Sequence, residues 1–268
     1  MARFPERVVL GRSGLSVGPL GVAGGYGVEK AALLEAFTRG MNYWYHGSRR
    51  SRGMREAIIE LVRAGHRQEL VIVVQSYARF GWMIERSAAR ALQSLGLDYA
   101  DVLLLGLFNR TPSDRILERV TRMKEKGMFR HLAISAHRRS SFVKYAADPR
   151  FEILHIRYNA AHVGAEKDIF PQLQDEDRPG TVAYTATRWG NLLKSGQMPP
   201  GEQPLRGRDC YRFVLSNPDF KVCMTGPKNG AELEEALAAL DEGPLRSDED
   251  ERIRRIGRHV HEGAFMGK

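Results

Sequence analysis

Five polar side chains stand at or just beyond the ends of short apolar runs: Tyr45, His46, Gln75, His137 and His155. If those runs are parallel strands of a barrel, the five share the face where barrels build their sites. A phenol and an imidazole at such positions can exchange a proton, and an amide can orient a carbonyl. One reading is a catalytic pocket with Tyr45 and either His46 or His155 as acid and base, and Gln75 beside them. The other is a cavity whose strand ends are merely filled with polar residues. Metal is not expected: His46, His137 and His155 come from different runs, without H-x-H or H-x-x-x-H spacing and without carboxylates at matching ends. Arg49, Arg50 and Arg52 follow the run that carries Tyr45 and would make a cationic rim suited to a carboxylate or phosphate, or else an exposed loop.

The elements needed to position these groups are legible. Eight apolar runs read as strands: Ser16–Ala23, Met41–Tyr45, Leu70–Gln75, Val102–Leu107, His131–Ser135, Ile153–Tyr158, Thr181–Thr185 and Lys221–Thr225. LVIVV and VLLLGLF are near-continuous, as strands buried on both faces should be. Helical stripes lie between them. Met54, Ala57, Ile58, Leu61 and Val62 form one, and Ile84, Ala88, Ala91, Leu92 and Leu95 form another that Gly96 closes. Ser113 before Ile116, Leu117, Val120 and Met123 predicts a further capped helix. Repeated strand–helix alternation of this size predicts an α/β fold, a (β/α)8 barrel over residues 1–268 as one domain, with an open doubly wound sheet as the alternative. RVVLGRSGLSV reads as an N-terminal hairpin, and Ser247–His261 as an extra charged helix with Ile253 and Ile256 inward.

Composition narrows the function classes. The 268 residues are 43% hydrophobic and 27% charged, which excludes disorder and coiled coil. No eighteen-residue apolar run or signal core is present, so a cytoplasmic protein without membrane attachment is expected. Cys210 and Cys223 fit no zinc or redox spacing. The net charge of +9 favours anionic partners, but no nucleic-acid motif accompanies it, so a small-molecule ligand is expected.

Read in order, LGRSGLSVGPLGVAGGYG, GMNYW, YADVLLL, FRHLAIS, RYN, VAYTATRWGNLL and TGPKNGAELEEALAAL resemble the aldo-keto reductase family, from about Arg7 to Leu240. That family reduces carbonyls with NADPH, using a tyrosine acid tuned by a lysine, an aspartate that pairs the lysine, and a histidine. The resemblance implies that most of this tetrad is not retained. Gln75 stands in the lysine's place and Gly106 in the histidine's. Counted without gaps from Asn42, the aspartate and tyrosine positions fall on Tyr45 and Arg50; a five-residue deletion instead puts Tyr45 at the catalytic tyrosine and removes the aspartate. The cofactor positions are less eroded. Tyr184 matches the residue that stacks on the nicotinamide, Ser135 keeps a carboxamide contact, and His155 replaces a glutamine. Lys228 and Asn229 match the pair that grips the 2′-phosphate, and Glu235 an adenine-side carboxylate. The resulting expectation is an aldo-keto-reductase-like protein with an eroded tetrad and NADP(H) binding weakened or lost, serving as a pseudoenzyme, a sensor or a re-tooled site. Two alternatives stay open: an atypical NADPH-dependent oxidoreductase with Tyr45 as proton donor, and a non-redox enzyme acting on an anionic small molecule.

Overall fold

The structure, a computed structural model, describes residues 3–47, 50–173 and 177–265. It opens on an antiparallel hairpin, β1 (Val8–Val9) against β2 (Ser16–Val17). Gly11 and Gly14 turn it at φ of 51° and 66°, a left-handed backbone that a side chain resists. The run expected as one strand over Ser16–Ala23 is therefore two elements. Gly18 and Pro19 interrupt the ladder, so Ser16–Val17 stays in the hairpin and the barrel begins at Leu20.

The elements then follow in strict alternation: β3 (Leu20–Ala23), α1 (Lys30–Thr38), β4 (Tyr43–His46), α2 (Arg52–Arg63), β5 (Val71–Ser76), α3 (Gly81–Leu95), β6 (Ala100–Leu105) and α4 (Asp114–Glu125). They continue with β7 (Phe129–Ser135), α5 (Ser140–Ala146), β8 (Ile153–Arg157), the single-turn α6 (Ala165–Asp168), β9 (Gly180–Tyr184), α7 (Gly207–Leu215), β10 (Val222–Thr225), α8 (Gly230–Glu242) and α9 (Ser247–Phe265). Strands β3 to β10 pair in parallel with their sequence neighbours, and β10 returns to β3, closing the eight-stranded barrel.

Each strand buries both faces. Tyr43, Val73, Val102, Ala133, Ile153, Val182 and Val222 fill the barrel interior. Trp44, Ile72, Leu103, Ile134 and Leu154 pack outward under the helices. That is why these runs read as unbroken apolar stretches.

Two polar residues within the family-like segments hold the frame rather than a ligand. Asn42 is buried: its Oδ1 accepts from Gly18 N at 3.0 Å, and its Nδ2 donates to Ser16 O and to Glu69 O, the latter at 2.8 Å. Asp101 is 2% exposed and accepts from Ile72 N at 2.8 Å and from Arg67 Nη1 at 2.9 Å. Helix ends follow expectation at Gly96, which is left-handed at φ 64°. Ser113 occupies the N-cap position of α4 but makes no side-chain cap bond. On α9, Ile253 and Ile256 are buried, and Gly257 lets the helix backbone settle on the loop after β8: a Cβ there would lie 2.1 Å from Ala160 O.

Candidate functional site

A cleft of about 670 Å³ opens at the C-terminal ends of the strands. Strand alternation decides which expected residues reach it. On β4, Tyr43 and Tyr45 point inward while Trp44 and His46 point outward. Tyr45, Gln75, Ser135, His137, His155, Tyr184, Lys228 and Glu235 line the cleft. His46 does not; it lies on the outer face, where burial and then Arg55 depress its pKa. Arg50 and Arg52 do not line it either. Arg52 is solvent-facing and pairs with Glu56 at 2.8 Å along α2, so it is not aimed at the mouth. Arg49 lies outside the described residues.

His155 does not pair with Tyr45. Its Nε2 shares a 2.8 Å hydrogen bond with the hydroxyl of Tyr43, one step deeper in the barrel. Burial lowers the His155 pKa to about 3 and pushes that of Tyr43 up, so the pair is neutral across the physiological range. The sequence signal for Tyr43 was its place two residues before Tyr45, on the same strand face.

Tyr45 lines the mouth with its ring folded over Gly47, where a Cβ would come 2.1 Å from it. Burial raises its pKa first, and the phenols of Tyr77 and Tyr26 add to the effect; Tyr77 also hydrogen-bonds it. No charged group figures among these causes. Gly106 is backbone alone, and the space a side chain would take is occupied. A Cβ there would meet Gln75 Nε2 at 2.5 Å and the Tyr77 ring at 2.6 Å. Gln75 carries a further oddity: its Oε1 is buried without a hydrogen-bond partner.

The rest of the wall is aromatic. Tyr26, Tyr77 and Trp189 are more than half exposed at the rim, and Tyr211 lies deeper. Tyr26, Tyr77 and Tyr211 did not stand out in the sequence, because isolated tyrosines carry no spacing signal. Tyr184 donates weakly to Ala136 O at 3.4 Å, and burial raises its pKa to about 12. Among the described residues, four non-glycine residues adopt positive φ, and all stand at this end of the barrel: Leu107, Thr185, Arg188 and Trp189, at 57°, 63°, 52° and 53°. Backbone strain concentrated at one face marks a site that surrounding structure holds in place.

The outer end of the cleft reaches α8, where acids crowd the helix start. Asn229 caps α8 through Oδ1, accepting from Glu232 N at 2.9 Å. Glu29 accepts from Gly230 N and Glu232 from Lys228 N, both at 2.9 Å. Glu235 is held by Arg208 through two bonds of 2.9 and 2.6 Å, which keep its pKa low. Lys228 is 72% exposed with its Nζ 3.9 Å from Glu232.

The remaining histidines have local roles. His131 bonds Glu152 at 2.7 Å and His66 bonds Glu69 at 2.7 Å. His261 packs edge-on against His162. Among the described residues no group of three or more His, Cys, Asp or Glu could hold a metal ion, and no helix is long and apolar enough to cross a membrane.

No family model matches the chain, and no curated protein matches it by sequence. Solved structures do. Aldo-keto reductase AKR11C1 from Bacillus halodurans, in its apo form, superposes with a TM-score of 0.74 at 18% identity, covering 93% of this chain and 95% of that one. Its holo form gives 0.75 at the same identity and coverage. The chain therefore has the fold of the aldo-keto reductases, hairpin and barrel together.

Proposed function

We propose that this protein is an aldo-keto-reductase-like barrel that binds a flat small molecule in its mouth and does not carry out standard carbonyl reduction. The observation that carries this reading is the surroundings of Tyr45: burial and the phenols of Tyr77 and Tyr26, with no cation acting on it among the described residues. An efficient acid at neutral pH needs a pKa brought down toward that range, and Tyr45 is pushed the other way. Gln75 cannot supply the missing charge, and position 106 has no side chain with which to aim a carbonyl.

A nicotinamide dinucleotide is the group this fold implies, and when bound it would supply hydride. The inner half of the cleft suits its flat ring. Tyr184 offers an aromatic face, Ser135 a hydroxyl, and Gln75 an unpartnered oxygen that seeks a donor. The outer half suits its 2′-phosphate poorly, because Glu29 and Glu232 already take the amides of Gly230 and Lys228. NADP(H) is accordingly bound weakly, with the phosphate end opposed.

Trp189 stands on the rim, so NADPH titrated against tryptophan fluorescence tests the reading. Quenching with a Kd in the high micromolar to millimolar range, without turnover on an aldehyde panel, is the expected result. No quenching at millimolar nucleotide removes the dinucleotide from the proposal. Turnover comparable to an ordinary reductase removes the non-reducing reading.

The contact between Tyr77 and Tyr45 favours one second reading, an atypical oxidoreductase in which paired phenols deliver the proton. It requires aldehyde turnover that collapses in Tyr45→Phe and falls in Tyr77→Phe.

A further inference from the structure

Large apolar side chains left in water gather at one end of this protein. Among the described residues eight are exposed, and all but Val9 stand at the mouth end. Val9 lies in the hairpin at the other end, where Gly11 bridges to Pro179 ahead of β9. Four of the seven edge the cleft already described. The other three, Phe80, Trp82 and Met83, do not line it; they are 61%, 56% and 40% exposed, in the loop after β5 and the first turn of α3.

The surrounding backbone holds them there. Arg79 donates from Nη1 to Tyr77 O at 2.8 Å and from Nη2 to Leu107 O at 2.9 Å, and its guanidinium lies 4.1 Å over the Phe108 ring. Gly81 seats the start of α3 on α4: a Cβ there would come 2.8 Å from Arg119 Cβ and 3.7 Å from Arg115 O. Phe80 occupies the N-cap of α3 and makes no side-chain cap bond. A serine or aspartate at that position would satisfy a helix amide and leave less apolar surface in water, so phenylalanine is the poorer choice on both counts for a protein with nothing docked there.

The tip is surrounded by positive charge. Arg79 precedes Phe80, Arg86 lies one turn beyond Trp82 on the exposed face of α3, and Arg115 stands in the first turn of α4 beside Gly81. Among the described residues none of these three forms an ion pair. Of the nearby acids, Glu85 is taken up by Arg119 and Lys126, which leaves Asp114 and Glu118 on α4. Apolar and aromatic side chains projecting among arginines match the layering of an anionic bilayer surface, where phosphates lie over an acyl-chain boundary. A second copy of this chain would instead bring like charges together.

We propose that the tip formed by Phe80, Trp82 and Met83 docks this protein on an anionic lipid surface, mouth end first, with Arg79, Arg86 and Arg115 at the level of the lipid phosphates. The inference goes beyond the reading of the cleft and does not depend on it. It also replaces the expectation of a protein without membrane attachment, which rested on the lack of a long apolar run; contact through three projecting side chains needs no such run.

The test is flotation of the whole protein at low ionic strength with vesicles of phosphatidylcholine alone and of phosphatidylcholine mixed with phosphatidylserine. The expected result is binding to the mixed vesicles that weakens as salt is added and is about tenfold weaker, or more, on phosphatidylcholine alone. The double variant Phe80→Ser, Trp82→Ser should lose about tenfold or more of that binding while keeping the parent's melting temperature. Arg86→Gln with Arg115→Gln should cut the preference for the anionic vesicles, and Val9→Ser should leave binding unchanged. No flotation with mixed vesicles, or equal flotation by the Phe80→Ser, Trp82→Ser variant, overturns the proposal. A melting temperature of that variant well below the parent's also overturns it, since the tip would then have a packing role within the fold. So does polyglutamate binding as tight as vesicle binding and lost in the same variant, which would make the partner an acidic polypeptide.

Discussion

Lowering the pH should destabilise this barrel through one identifiable group. His155 is 4% exposed and bonded only to the Tyr43 hydroxyl, and its pKa falls from an unfolded value near 6.5 to about 3 in the folded protein. Between these values the unfolded chain binds a proton that the folded chain refuses. Stability then rises with pH across the window: the contribution is complete above about 6.5 and is lost progressively as the pH falls toward 3. Each pH unit well below 6.5 is worth about 1.4 kcal/mol and the first only part of that, so moving from pH 6.5 to 4.5 should cost about 2.3 kcal/mol from this residue alone. For a chain of this size that is a drop of roughly 5–9 °C in melting temperature. Other groups titrate in the same range, so the assay is a difference. Urea unfolding of the parent and of His155→Gln is measured at half-unit steps from pH 7 to 4.5, and one curve is subtracted from the other. Glutamine can still bond Tyr43 but cannot take a proton, so the variant should lose most of the slope. Tyr43→Phe is the complementary control. It leaves a buried imidazole nitrogen unpaired, which costs about 1–3 kcal/mol at every pH, and it should keep the slope. Equal slopes in the parent and His155→Gln would refute the account of a dry, neutral pair inside the barrel.

Two further outcomes follow from contacts at the rim and the tail. Replacing both Glu29 and Glu232 by glutamine removes the acids that occupy the start of α8, and the preference for NADP⁺ over NAD⁺ should rise roughly three- to tenfold, the scale of exposed charge pairs. Binding titrations with the two nucleotides read this ratio, and an unchanged ratio would show that the acids do not face the phosphate. Gly257→Ala forces a Cβ against the Ala160 carbonyl and should cost about 1–3 kcal/mol by lifting α9. Because Val260 of α9 holds Arg188, whose neighbour is Trp189, the tryptophan emission should shift as well; a pure stability loss with unaltered emission would uncouple the tail from the rim.

The barrel was legible because its strands are buried on both faces, and burial writes itself into sequence as unbroken apolar runs such as LVIVV. Where the backbone rather than burial sets the boundary, as at Gly18 and Pro19, one run concealed two elements. Inner-face strand residues were also recoverable, and Tyr45, Gln75, His155 and Tyr184 do converge on one cleft. Their pairing was not. Which hydroxyl meets His155 depends on the shear that staggers β4 against β8, and nothing in either segment encodes that stagger. The outward turn of His46 could have been read from alternation with Tyr45.

The frame and the mouth have separable physical demands, and the separation bears on function. Asn42, Asp101 and the interior from Tyr43 to Val222 hold the barrel together without any help from the strand ends. A mouth refilled without selection for a ligand would also relax, since nothing in the frame resists it. Instead, among the described residues, it retains four non-glycine residues at positive φ and a buried amide oxygen on Gln75 without a hydrogen-bond partner. Strained φ values cost about 1–3 kcal/mol each, and an unsatisfied buried acceptor costs a similar amount. These costs fall on the cleft and its edge, and an occupant that donates a hydrogen bond to Gln75 Oε1 would remove the last of them.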